Sequence, residues 1–170
     1  MDKNELKKRC LEQIDKDQEA IITIGKTIYK TPELGYKEIE STKVVKAFME
    51  TLGTPIQTDL AITGCMTTAN EGKKGPRIAV MGELDSVVCH THVDASAIGN
   101  VHACGHNIQI ANLMGCAVGI IKSGVHEYLD GIIDFIAIPS EECIDLTFRK
   151  DLQINGKIKF FGGKQEFLYR

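Results

Sequence analysis

Apolar residues recur at helical spacing near the start of the chain. Leu6, Ile14, Ala20, Ile21, Ile24 and Ile28 roughly follow a helical period among charged neighbours, which predicts a helix over residues 4–29. Thr31-Pro32 ends it, because the residue before a proline avoids the helical region. A second helix is expected from about Lys37 to Leu52, with Gly53 as its stop. Residues 58–69, rich in Ile, Thr and Met, read as one extended strand. The Gly-Pro cluster over 71–76 is a turn. Arg77–Gly82 is a short apolar run suited to a buried strand. A third helix should start after Gly105 and reach Lys122, with Gly124 as its stop. Gly131–Ile138 is a second buried-strand candidate, closed by Pro139. Residues 144–153 are weakly helical, and Lys157–Phe161 reads as a last short strand. No internal repeat interrupts this order.

Helices alternating with apolar strands predict an α/β layered domain. The two best strands end at 82 and 138, and acidic residues follow each at once: Glu83 and Asp85, then Glu141 and Glu142. Sites in open α/β sheets form at the carboxyl ends of strands, so polar groups placed there are informative.

Composition narrows the classes. At 170 residues the chain makes one domain or part of a larger one. A formal net charge of -3 gives no electrostatic footprint for nucleic acid. With 43% hydrophobic and 25% charged residues, disorder over the whole length is excluded. No apolar run reaches the roughly 20 residues of a membrane helix, and the charged start MDKNELKKRC is no secretory signal. Six cysteines raise a disulfide framework, but the missing signal and ordinary hydrophobic content favour a reducing compartment, the cytoplasm. Most of the six are then expected to be small core residues, with Cys104 apart. Met66, Met81 and Met114 are read as core fillers.

Three segments hold useful chemistry: Gly82-Glu-Leu-Asp-Ser86, His102-Ala-Cys-Gly-His-Asn107 and Pro139-Ser-Glu-Glu142. Cys104 and His106, two apart on a turn into a helix, suit a borderline metal ion or two neighbouring ions. Alone, the same pair also fits a small buried Cys beside a core His. Glu141-Glu142 at a strand end repel one another unless cations or solvent offset them. A metal site explains the pair, one Glu binding an ion and the other taking a proton from water; a solvated acidic loop explains it too. Asp85 fits either an orienting partner for a ligand imidazole or a turn cap. Glu83 is more ambiguous still. His90 and His92 form an H-x-H pair in a loop of little regular pattern, facing metal, substrate or solvent, and His126 is expected at the surface. Gly162-Gly-Lys164 lacks the spacing of a phosphate loop, and no G-x-S-x-G elbow is present.

These segments resemble a known family. Thr31-Pro-Glu-Leu-Gly-Tyr-Lys-Glu38 followed by Ser41-Thr42 is similar to an N-terminal "NPELG-x-x-E" segment. Gly82-Glu-Leu-Asp-Ser-Val87 resembles its strand end, Val101-His-Ala-Cys-Gly-His-Asn107 its "HACGHD" signature, and Pro139-Ser-Glu-Glu142 its "PAEE". The family is that of the dinuclear-metal amidohydrolases and metallopeptidases: aminoacylases, carboxypeptidase G, auxin-conjugate and aminobenzoyl-glutamate hydrolases. The motifs occur in the family's order and cover nearly the whole chain.

The resemblance implies a zinc-exopeptidase-like three-layer sandwich with a mostly parallel central sheet. It makes Cys104, His106 and Glu142 metal ligands, Glu141 the general base and Asp85 the residue that orients a ligand. Two divalent ions (Zn, Mn or Co) are implied, with a small-molecule amide or dipeptide as substrate. The reaction is hydrolysis of an amide bond in an N-acyl amino acid, dipeptide or related conjugate. Asn107 replaces the signature's Asp, as in the aminobenzoyl-glutamate branch, and Glu83 stands where relatives carry His or Asp, its role open. Family members are roughly twice this length or more, so residues 1–170 correspond to the N-terminal part of the catalytic domain. A dimerisation domain and a C-terminal catalytic part, with further ligand histidines, have no counterpart. Three ligands for two ions leave the shells short. The chain alone is therefore expected to bind metal weakly and hydrolyse little, unless a second copy or a complementing chain completes it. The alternative is a non-catalytic metal-binding or subunit-interaction module that kept the fold.

Overall fold

The computed structural model describes residues 1–170. In chain order the elements are α1 (Lys3–Lys16), α2 (Gln18–Tyr29), α3 (Ile39–Glu50), β1 (Ile56–Leu60), β2 (Gly64–Ala69), β3 (Arg77–Glu83), β4 (Val87–Val88) and β5 (Asn100–Val101). Then come α4 (His106–Ala117), β6 (Ile132–Ile138), α5 (Leu146–Ile154) and α6 (Gly163–Tyr169). A π-helical turn, Val118–Lys122, prolongs α4, and a 3₁₀ turn, Val125–Tyr128, leads into β6.

The α/β layering stands, and β6 shows how it is made. Its side chains alternate: Ile133, Phe135 and Ala137 join the cluster under the helices, while Ile136 and Ile138 join Met66 on the opposite face. Both faces are thus buried, which is why this run is apolar without a break. On the helix side, Ile24 and Ile28 of α2, Val45 and Met49 of α3, and Leu113 and Met114 of α4 close over the sheet. Phe167 of α6 packs on the other face.

The sheet order is β1-β2-β6-β3. Only β3 and β6 run parallel; β1–β2 and β2–β6 are antiparallel, so the mostly parallel sheet is corrected to a mostly antiparallel one. Connection length gives the reason. The long excursion through α4 lets β6 return parallel to β3, whereas β1 and β2 are joined by a tight turn that forces reversal. That turn also divides the expected single strand 58–69. Asp59, Ala61 and Ile62 take positive φ there with no glycine among them, so no residue type announced it.

Other expectations change for tertiary reasons. The first helix breaks at Asp17, whose carboxylate accepts a hydrogen bond from Lys122 at 2.9 Å; α1 lies on the π-helical turn while α2 lies on α4. β3 is an edge strand rather than a buried one, pairing with β6 alone and leaving Ile78 and Met81 exposed. Met81 is therefore no core filler, although Met66 and Met114 are. Residues 157–161 form no strand, because the buried Glu166 carboxylate accepts the backbone N–H groups of Lys159 and Phe160. All six cysteines are free thiols, but only Cys65 is buried; Cys104, Cys116 and Cys143 are exposed, which corrects the expected core role for most of them. No helix is long and apolar enough to cross a membrane.

Candidate metal centre

The parallel register pairs Glu83 with Ile138, so β3 and β6 end side by side and their following loops leave the sheet together. This brings Glu83 and Asp85 against Pro139-Ser-Glu-Glu142. The start of α4 arrives from the same end. Gly105 takes φ 92°, a conformation glycine adopts freely, and it turns the chain so that His106 becomes the first helical residue.

His106 is buried at 1% exposure. Its Nδ1 lies 2.8 Å from the Asp85 backbone oxygen and 3.4 Å from that residue's carboxylate. Its Nε2 faces Glu83 Oε2 at 3.0 Å, and Glu141 Oε2 and Glu142 Oε1 at 3.8 Å each. Two groups of donors result, Cys104–His106–Glu142 and Glu83–His106–Glu141, each with its donor atoms within 4.8 Å of one another. His90 and His92 belong to neither group; His90 packs over Gly99 and His92 Nδ1 accepts the Asp94 N–H. His126 is half-buried, its Nδ1 3.2 Å from the Ile120 backbone oxygen, away from both donor groups.

The Asp85 carboxylate accepts the backbone N–H of Glu141 at 3.1 Å and of Glu142 at 2.9 Å. The preceding N–H, that of Ser140, donates to the buried Glu38 carboxylate at 2.7 Å. Three consecutive amides are thus held by two buried carboxylates, and Ser140 sits at φ 56° between them. The buried Arg149 donates to the carbonyl oxygens of Glu142 and Phe161 from behind. The PELG segment is tied in as well. The Glu33 carboxylate accepts from Glu40 and Ser41 at the start of α3, and its backbone oxygen accepts from Ser86 at 2.7 Å.

Glu38, Arg149 and Lys164 escaped the sequence reading. Glu38 was visible in the first motif, but nothing local links it to Ser140, 102 residues away. Lys164 drew notice only as part of a failed phosphate loop, yet its ammonium contacts Glu83 and lies 4.0 Å from Glu141.

The electrostatics follow from four acids around one imidazole. Burial works against the charged form of His106, but the hydrogen bonds to Asp85 and the charges of Asp85 and Glu83 outweigh it and raise its pKa to about 9. The Cys104 thiol is pushed up to about 11, first by its hydrogen bond to Glu142, then by burial and the surrounding carboxylates. Burial, and next the His106 charge, lower His102 to about 4. Neither ring nitrogen of His102 has a hydrogen-bond partner. Concentrated negative charge with a thiol and an imidazole is the setting that a divalent cation relieves. A cation also supplies the charge needed to displace the thiol proton. The donor set fits such an ion and does not choose among Zn, Mn and Co.

Known proteins are similar to the chain in sequence and in fold. No protein-family model matches the chain. An IAA-amino acid hydrolase of Arabidopsis thaliana is 29% identical over 143 residues, covering 82% of this chain and 31% of the relative. Thermostable carboxypeptidase 1 of Saccharolobus solfataricus is 29% identical over 127 residues, covering 72% of this chain and 32% of its own. Among solved structures, a dinuclear metal binding peptidase of the M20 family from Bacillus subtilis superposes with a TM-score of 0.64 at 25% identity, covering 82% of this chain and 40% of that one. The chain thus resembles the amidohydrolases and dinuclear metal peptidases in sequence and in fold. It spans about a third of the length of the curated relatives it matches.

Proposed function

We propose that this chain is the N-terminal portion of the catalytic domain of a metal-dependent amidohydrolase, cleaving amide bonds in N-acyl amino acids, dipeptides or related conjugates. The observation that carries the reading is the convergence of Cys104, His106 and Glu142 on one point, with Glu141 beside them. Cys104, His106 and Glu142 are the ligands in this reading, and Glu141 is the general base.

A pair of divalent ions, when bound, supplies Lewis-acid polarisation of the amide carbonyl and acidifies the attacking water. The rest falls to side chains. Glu141, its side chain 38% exposed, takes the proton of the water as the C–O bond forms. It returns that proton to the amine nitrogen as the C–N bond breaks. Asp85 holds the amides of Glu141 and Glu142, so both carboxylates project from a fixed backbone, and its own backbone oxygen fixes the His106 ring. Three ligands for two ions support a need for further donors, from a second copy or a complementing chain. Hydrolysis by this chain alone is therefore weak. Six free thiols support a reducing, cytoplasmic setting.

The test is metal content by elemental mass spectrometry after dialysis against Mn²⁺ or Zn²⁺, followed by assay on an N-acetyl amino acid. Metal uptake is expected. Glu141→Gln should leave uptake unchanged and lower whatever hydrolysis is seen by about 10²–10⁴-fold. Absence of metal uptake overturns the proposal. Unchanged hydrolysis in Glu141→Gln overturns the role of that residue.

A further inference from the structure

We infer that β3 pairs antiparallel with β3 of a second copy of this chain, in a register that sets Val80 opposite Val80 at a two-fold axis.

The free groups of this edge are defined by the pairing behind it. β3 is bonded to β6 alone. At the ends of that ladder the Ile132 N–H donates to the Pro76 oxygen at 3.0 Å, and the Leu84 N–H donates to the Ile138 oxygen at 2.9 Å. Backbone direction alternates along a strand, so Ile78, Val80 and Gly82 also turn their N–H and C=O groups toward β6. Arg77, Ala79, Met81 and Glu83 turn theirs to the open side. Arg77, Ile78, Ala79 and Met81 are all exposed.

An antiparallel neighbour exchanges both hydrogen bonds between residues that face one another across the edge. Only one pairing of β3 with itself employs all four outward residues. It sets Arg77 opposite Glu83 of the second copy, and Ala79 opposite Met81. That register is complementary in charge and in size. A guanidinium meets a carboxylate at each end, and opposite charges stabilise a cross-strand pair where like charges destabilise it. Arg77 spends Nε and Nη2 on Asp134, which leaves Nη1 for the carboxylate across the axis. Small Ala79 meets long Met81, branched Ile78 meets Gly82, and Val80 meets its own copy. A shift of two residues either way breaks the ion pairs and leaves one end of the strand unpaired. The same patch serves both copies, the closed arrangement of a two-fold dimer. It joins two four-stranded sheets into one and removes the exposed edge.

The experiment is sedimentation velocity of the 170-residue chain in metal-free, reducing buffer over a range of concentrations. A monomer–dimer equilibrium is expected. Ala79→Pro removes only an N–H on the open side, so the bonds to β6 survive while the neighbour is blocked. This variant is expected to stay monomeric with the circular dichroism of the parent. Val80→Cys gives the register. Directly opposed residues of a non-hydrogen-bonded pair stand about 4.5 Å apart between Cα atoms, within reach of a disulfide. Mild oxidation with glutathione disulfide should join position 80 of one copy to position 80 of the other, read in the peptide mass spectrum without reduction. A parent chain that stays monomeric overturns the inference and leaves the edge to a strand of another sequence. A dimer that persists in folded Ala79→Pro overturns it by moving the contact to another surface. If Ala79→Pro does not fold, the crosslink decides: a dimer of Val80→Cys joined only through the native cysteines overturns the pairing.

Discussion

Glu38 shows what one buried carboxylate does to this site. It is 0% exposed, accepts from Thr63 Oγ1 at 2.5 Å and from the Ser140 amide, and has the Asp85 charge near it. Burial raises its pKa from 4.5 to about 7. A carboxyl with a raised folded-state pKa contributes stability that is fully present below its unfolded value and is lost as pH rises through the folded one. Folding stability should therefore fall by up to about 3 kcal/mol between pH 4.5 and 7 on account of this group. Urea unfolding at pH 4.5 and pH 8 measures it. Glu38→Gln, which keeps the shape without the titrating proton, should remove that share of the slope. An unchanged slope in the variant would place the effect elsewhere.

At the scale of elements, the positions of α6 and of the 139–142 loop depend on close backbone approach. Gly163 illustrates the constraint, since any side chain there meets the Pro139 carbonyl. Gly163→Ala should shift α6 outward at a cost of about 1–3 kcal/mol, the usual range for overpacking. It should also detach Lys164 from Glu83. Chemical unfolding checks the first effect and metal titration the second. A variant with parent stability and parent metal affinity would mean that the contact relaxes freely. Gly35 is similarly placed, a Cβ there lying 2.5 Å from the Arg149 guanidinium and 2.6 Å from Ser140 Oγ. Gly35 of the first motif and Gly163 at the start of α6 thus secure one loop.

Across the whole molecule, the open feature is the outer edge of β3. It runs for 7 residues with backbone groups unpaired on one side, and Ile78 and Met81 are 56% and 50% exposed. Unprotected edges of this kind pair with other strands. Self-association that rises with concentration is expected in sedimentation velocity. Met81→Lys, a charge on the face opposite α2, α3 and α4, should reduce it without lowering the melting temperature. Association unaffected by the lysine would move the contact to another surface.

The sequence by itself determined the alternation of helices with apolar strands, the two strand ends that carry acids, and the spacing that sets Cys104 beside His106. These depend on local rules: side-chain period, glycine and proline punctuation, and the placement of polar groups after an apolar strand. Tertiary structure decided the rest. Helix α1 parts from α2 at Asp17, where α1 lies on the π-helical turn and α2 on α4, and Lys122, 105 residues away, reaches the Asp17 carboxylate. The strand expected over 58–69 folds back on itself through positive-φ residues that no glycine marks. β3 is an edge because nothing pairs beyond it, a property of the assembled sheet and not of the apolar run Ile78–Met81. The two oxygens of Glu83 find different partners only once Lys164, 81 residues on, is docked over the strand end. Hydrogen bonds between residues so far apart leave no periodic trace in the chain. They form only when packing has brought the two partners within reach.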